Sequence, residues 1–155
     1  MHNIIIMKKI DLYITEKLKL NKDVKEETLT WKEFCKKYNI SKFTNFRYHC
    51  KGFGHDLIDK LDMLLKENIK NFIKDCKETY SIENLSLEYI KESDFSAEAY
   101  QIKVTLENKS YLVFTIFTRS SYEMSIQYFN LNDEQKQKIN DILANILYKI
   151  INNEF

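Results

Sequence analysis

Asp56–Tyr80 reads DLIDKLDMLLKENIKNFIKDCKETY. Its apolar residues Leu57, Ile58, Leu61, Leu64, Leu65, Ile69, Phe72, Ile73, Cys76 and Tyr80 recur at spacings of three and four. An α-helix has about 3.6 residues per turn, so that spacing gathers them on one face. The stretch predicts one long amphipathic helix with a stripe that must be buried.

Downstream the period changes to two. Leu85, Leu87 and Tyr89 alternate with polar residues, and so do Tyr100, Ile102, Val104 and Leu106. Tyr111–Thr118 is continuously apolar enough for a central strand, and Tyr122, Met124, Ile126 and Tyr128 alternate again. Asn108-Lys109 supplies a hairpin turn. Short polar links between these runs predict an antiparallel meander of three or four strands. A closing helix is expected over about 132–152, with Ile139, Ile142, Leu143, Ile146, Leu147, Ile150 and Ile151 as its apolar face. One sheet face has to lie under the two long helices, because a bare Tyr/Ile/Val face would not stay soluble.

Upstream, Ile10, Ile14 and Leu18 mark a short helix over residues 8–20, and polar Asn21–Glu27 reads as a connection. Thr30-Trp31-Lys32-Glu33 has the form of a capping box opening a second helix. Asn39-Ile40-Ser41 interrupts it, and a third helix runs from Lys42 to about Cys50 until Gly52-Phe53-Gly54 ends it. The expected fold is α+β: an N-terminal helical, helix-turn-helix-like head over 1–54, and a body over 55–155. The body is a long helix, a three- to four-stranded antiparallel meander and a C-terminal helix, with a core large enough to fold alone.

With 155 residues, 44% of them apolar and 30% charged, the chain can build a core and a soluble surface. The longest apolar run, Ile4–Met7, is far short of the roughly 20 residues of a membrane span. The first residues lack the basic start of a secretory signal. Cys35, Cys50 and Cys76 are odd in number and lack disulfide spacing, so reduced thiols and the cytosol of a host cell are expected. Two glycines and no proline exclude Gly-rich phosphate loops and flexible linkers.

Charge is segregated. Residues 1–55 hold 12 Lys/Arg against 6 Asp/Glu, whereas residues 56–155 hold 12 against 17. Over 31–51 six basic residues face a single acidic one. Within that basic stretch, Phe34-Cys35 supplies a large apolar residue followed by a small one. Asn39, Ile40 and Ser41 supply a turn residue, an aliphatic and a hydroxyl. Lys42, Thr44, Asn45 and Arg47 supply a polar, basic helix. The segment resembles the helix-turn-helix of phage and mobile-element proteins, both transcriptional regulators and helix-turn-helix-bearing anti-CRISPR proteins. That resemblance implies Lys42, Thr44, Asn45 and Arg47 at base edges and Lys36, Lys37 and Lys51 at phosphates. DNA is favoured over RNA. The pattern is broken by Asn45, where that family buries an aliphatic residue, and by Phe43 and Phe46, where it shows polar ones. An aromatic face of that kind fits docking on a host protein or ribonucleoprotein, as an inhibitor would. The helix–three strands–helix order is also that of double-stranded-RNA-binding domains, but the last helix begins with little basic charge beyond Lys136 and Lys138.

Other chemistry is sparse. Cys35, His49, Cys50 and His55 are potential zinc ligands without paired spacing, so neither a metal nor another cofactor is expected. Three histidines give few acid–base options, and Asp56, Asp59 and Asp62 read as a solvated helix row. No catalytic constellation emerges, and the chain is expected to bind without catalysing. Tyr111, Tyr122 and Tyr128, if they share the sheet face away from the helices, make a protein interface. A homodimer through the body is expected for a regulator.

Overall fold

The computed structural model describes residues 26–30, 50–92, 97–118 and 124–155. The elements are β1 (Glu26–Thr30), α1 (Cys50–Glu67), α2 (Ile69–Tyr80), β2 (Asn84–Glu92), β3 (Ala97–Thr105), β4 (Tyr111–Phe117), β5 (Met124–Phe129) and α3 (Asp133–Ile151). Strands β2 to β5 form the expected meander, each antiparallel to the next. The β3–β4 hairpin turns at Asn108-Lys109, as the sequence predicts. There Lys109 takes a left-handed φ of 71° and the Asn108 carboxamide accepts from the Ser110 amide at 3.1 Å.

The alternation seen in the sequence becomes three aligned rows under the helices. Leu85, Val104, Leu112 and Tyr128 form one, Leu87, Ile102, Phe114 and Ile126 the next, and Tyr89, Tyr100, Ile116 and Met124 the third. Leu57, Leu61 and Leu64 of α1, Phe72 and Cys76 of α2, and Ile139, Leu143, Ile146, Leu147 and Ile150 of α3 close over them in one core. Each fully buried aliphatic side chain contributes about 1.5–3 kcal/mol. Phe155 closes the margin, its ring edge-on to Phe72 at 6.3 Å. No helix among the described residues is long and apolar enough to cross a membrane.

Three local expectations change. The long helix is two, because Asn68 leaves helical geometry at φ −146° and ψ 24°. Asparagine is a weak helix former; here its side-chain oxygen accepts from the Asn71 side-chain amide at 3.0 Å. Gly52-Phe53-Gly54 does not end a helix; it lies in the first turns of α1. A first turn has no complete hydrogen-bond ladder to lose, so glycine is tolerated there. Finally, Glu26–Thr30 is not a connection or part of a helical head. It is strand β1, antiparallel to β5, giving a five-stranded sheet ordered β1-β5-β4-β3-β2. The open edge of β5 decides this, since strand formation follows the available partner more than local polarity. The expected split at residue 54 is therefore crossed by the sheet. The proposed second helix, most of the third and the residue 8–20 helix lie outside the described residues.

The second sheet face differs in chemistry. Glu88, Gln101, Thr115 and Ser125 stand opposite one another across β2 to β5. Gln101, Thr115 and Ser125 are buried. Glu88 Oε2, Gln101 Nε2, Thr115 Oγ1 and Ser125 Oγ have no hydrogen-bond partner among the described residues.

Candidate functional site

On the helix-covered face, β2 and β3 grade from apolar to charged as they run out from under α1. Along β2 the order is Leu85, Leu87, Tyr89, Lys91; along β3, paired with it, Val104, Ile102, Tyr100, Glu98. Where the helical cover ends, a cleft of about 560 Å³ opens, lined by Ile58, Asp62, Leu65 and Lys66 of α1, Tyr89, Glu98, Tyr100 and Thr118. That volume falls in the range of small-ligand sites.

Two tyrosine–carboxylate pairs build its walls. Tyr89 and Tyr100 are cross-strand partners whose ring centroids lie 5.1 Å apart at 52°. The buried Tyr100 hydroxyl donates to the Asp62 carboxylate across the sheet–helix interface. The Tyr89 hydroxyl donates to Glu98, and the residue as a whole remains 44% exposed in the cleft lining. Lys91 reaches Glu98 at 3.7 Å from the outer side. The Glu98 backbone is tied down by Thr118, whose amide and hydroxyl both donate to the Glu98 carbonyl, at 3.0 and 3.3 Å.

The electrostatics follow from this arrangement. Desolvation, with the hydrogen bond to Glu98 behind it, pushes the Tyr89 phenol up to about 12. Desolvation and Asp62 raise that of Tyr100. Conversely, the Tyr89 hydrogen bond holds Glu98 below the usual carboxylate range. Both phenols stay protonated donors through the physiological range, and Glu98 stays an anion. Each carboxylate offers about four acceptor positions, so one phenol leaves capacity facing the cleft.

The sequence-predicted contact residues divide sharply. Lys36, Lys37, Lys42, Phe43, Thr44, Asn45, Phe46, Arg47 and Tyr122 lie outside the described residues, and Lys51 falls in the first turn of α1. The three tyrosines expected on one face do not share it. Tyr128 is on the helix-covered side, only 1% exposed, with its hydroxyl on Asn140, so it is a core residue and not an interface residue. Strand parity explains this: Tyr128 aligns with Leu112, whereas Tyr111 aligns with Phe129 on the opposite face. Tyr111 is half-buried, its ring stacked on Phe129 at 4.6 Å with the Lys103 ammonium 4.4 Å from its centroid. Of the aspartate row, Asp56 and Asp59 are exposed and Asp62 alone meets the sheet. Among the described residues no group of three or more His, Cys, Asp or Glu side chains is placed to hold a metal ion.

Sequence reading noted Asp62, Tyr89 and Tyr100 separately and passed over Glu98. The usable signal was the two-residue step on both strands of one hairpin, which puts Tyr89 and Lys91 beside Tyr100 and Glu98. No protein-family model, no curated protein and no solved structure matches this chain.

Proposed function

We propose that the chain is a non-catalytic binding protein of a phage or mobile element, acting as a regulator that engages nucleic acid, DNA before RNA, through residues 31–51. The observation that carries this reading is the segregation of charge in the sequence. Six basic residues against one acidic lie in 31–51, and 12 against 17 lie in 56–155. A basic segment on an acidic body binds a polyanion with that segment and repels it elsewhere. Lys51 and the start of α1 continue directly into Leu57, Leu61 and Leu64, which are buried in the core, so the segment adjoins a rigid platform. Lys42, Thr44, Asn45 and Arg47 carry the base contacts, and Lys36, Lys37 and Lys51 the phosphate contacts.

Fluorescence anisotropy against random and selected duplexes at several salt concentrations tests this. Micromolar binding that weakens with salt is expected. Arg47→Ala should lose about 1–3 kcal/mol at a base edge, and Lys36→Ala should flatten the salt slope by about one unit. Salt-independent binding, or none at micromolar protein, overturns it.

A second reading is favoured by the aromatic pair Phe43 and Phe46 in the same segment: an inhibitor of anti-defence type that docks on a host protein or ribonucleoprotein. Pull-down from host lysate with and without nuclease separates the two, because only nucleic-acid-mediated capture is lost on digestion.

A further inference from the structure

We infer that the cleft between α1 and the β2–β3 hairpin is a receptor for a guanidinium group on a short apolar stem, the chemistry of an arginine side chain. It stands apart from the nucleic-acid reading, since none of its residues lies within 31–51.

Four features of the cleft converge on that group. Asp62 and Glu98 stand on opposite walls, one on the helix and one on the sheet, each already oriented by a tyrosine hydroxyl. Carboxylates fixed in this way lose little conformational freedom on binding a second donor, and guanidinium offers several donors in one plane. Between them Tyr89 is 44% exposed as a residue, although it is a large aromatic on the core-facing side of its strand. An exposed ring face beside carboxylates attracts a cation through its quadrupole, and a planar guanidinium can stack on it while its N–H groups reach sideways. Ile58 and Leu65, both half-buried, form the wall along which a methylene stem can lie. Tyr89 stays partly exposed beside about 560 Å³ of cleft, space enough for such a side chain.

The one opposing charge in the lining is Lys66, four residues on from Asp62 and therefore on the same side of α1. Its ammonium is exposed at the cleft, and Lys91 already lies 3.7 Å from Glu98, so a guanidinium has both lysines to compete with.

Titration of the isotopically labelled full chain with L-argininamide, followed by amide chemical shifts, tests the inference. Saturable shifts at Tyr89, Glu98 and Thr118 are expected, with no such shifts from the uncharged isostere citrullinamide. Glu98→Gln should weaken binding about tenfold, on the scale of one charge-assisted hydrogen bond. Lys66→Ala should tighten it about threefold by removing a competitor. Both positions are at the surface, so a folding defect in Asp62→Asn or Tyr100→Phe would not obscure the result. No saturable shift at tens of millimolar argininamide, equal shifts with citrullinamide, or unchanged binding by Glu98→Gln overturns it. A short capped Gly-Arg-Gly peptide identifies the source. Binding about tenfold tighter than argininamide assigns the site to a protein-borne arginine, and equal binding to a free small cation; both support the receptor.

Discussion

The Tyr128 hydroxyl donates to the Asn140 carbonyl oxygen at 2.8 Å, inside the core and between β5 and α3. Both residues are essentially sealed from solvent, and the Asn140 amide nitrogen has no partner among the described residues. The pair fixes the register of α3 on the sheet, since a slide by one turn would leave both groups stranded. Tyr128→Phe should destabilise by about 1–3 kcal/mol, because the asparagine then lacks its remaining side-chain bond. The double change Tyr128→Phe with Asn140→Leu should recover most of that loss. Urea unfolding of the three variants checks it, and a double variant less stable than either single would contradict it.

Thr115 lies in the polar row of the second sheet face, buried and with its hydroxyl unpartnered among the described residues. Thr115→Val replaces that hydroxyl by a methyl of nearly the same shape. Stability should rise by about 1 kcal/mol, the penalty of a buried group without a bond. A measured loss in urea midpoint would mean that the hydroxyl is satisfied in solution.

Helix α3 begins on a reciprocal cap. Asn132 accepts from the Gln135 amide at 2.8 Å and its own amide donates to the Gln135 side chain at 2.9 Å. Asn132→Ala should cost about 1 kcal/mol and lower the thermal midpoint by about 2–4 °C. Asn132→Ser should retain most of it.

Burial pushes the Cys76 thiol up from 9.0 to about 11, with the nearby Lys149 opposing the shift. Above pH 9 the unfolded thiol ionises while the folded one keeps its proton, so unfolding releases protons. Stability from this group is thus whole below pH 9 and declines as pH rises toward 11, by up to about 1.4 kcal/mol per pH unit. Tyr80, Tyr89 and Tyr100 are shifted the same way and extend the decline upward from their ordinary value of 10.0. Cys76→Ala should flatten the alkaline limb between pH 9 and 11, measured by unfolding at fixed ionic strength. The native thiol should also resist alkylation at neutral pH.

Removing residues 1–54 takes away β1 and leaves β5, Met124–Phe129, as a bare edge. Such an edge is a template for pairing with another chain. The truncated body should associate into larger assemblies than the full chain forms at the same concentration. A monodisperse monomer of native circular dichroism would show that the body stands without its fifth strand.

Periodicity made the body legible. Leu57, Leu61 and Leu64 predicted the helix face, and the alternation through Leu85, Ile102, Phe114 and Ile126 predicted the sheet face under it. What failed was information that no local window contains. Glu26–Thr30 is a strand because β5 offers it an edge, and nothing in EETLT announces that partner. Asn68 interrupts a run whose apolar spacing continues unbroken past it. The cleft was half legible: the tyrosines and Asp62 stood out, but Glu98 acquires its role only through pairing with Lys91 and proximity to Tyr89. Tyr128 misled because an aromatic in a strand carries no label for which face it will occupy.

The pairing of β1 with β5 joins Glu26 to Phe129 and Thr30 to Ser125, segments made far apart in time. During synthesis β1 leaves the ribosome long before its partner exists, whereas β2 and β3 pair with each other as soon as both are made. Closing so long a loop carries an entropic penalty that local hairpins avoid. The local β2–β3, β3–β4 and β4–β5 hairpins are therefore expected to form before the β1–β5 pairing. The stretch between β1 and α1, residues 31–49, is therefore flanked by two docked elements only after β5 has been made.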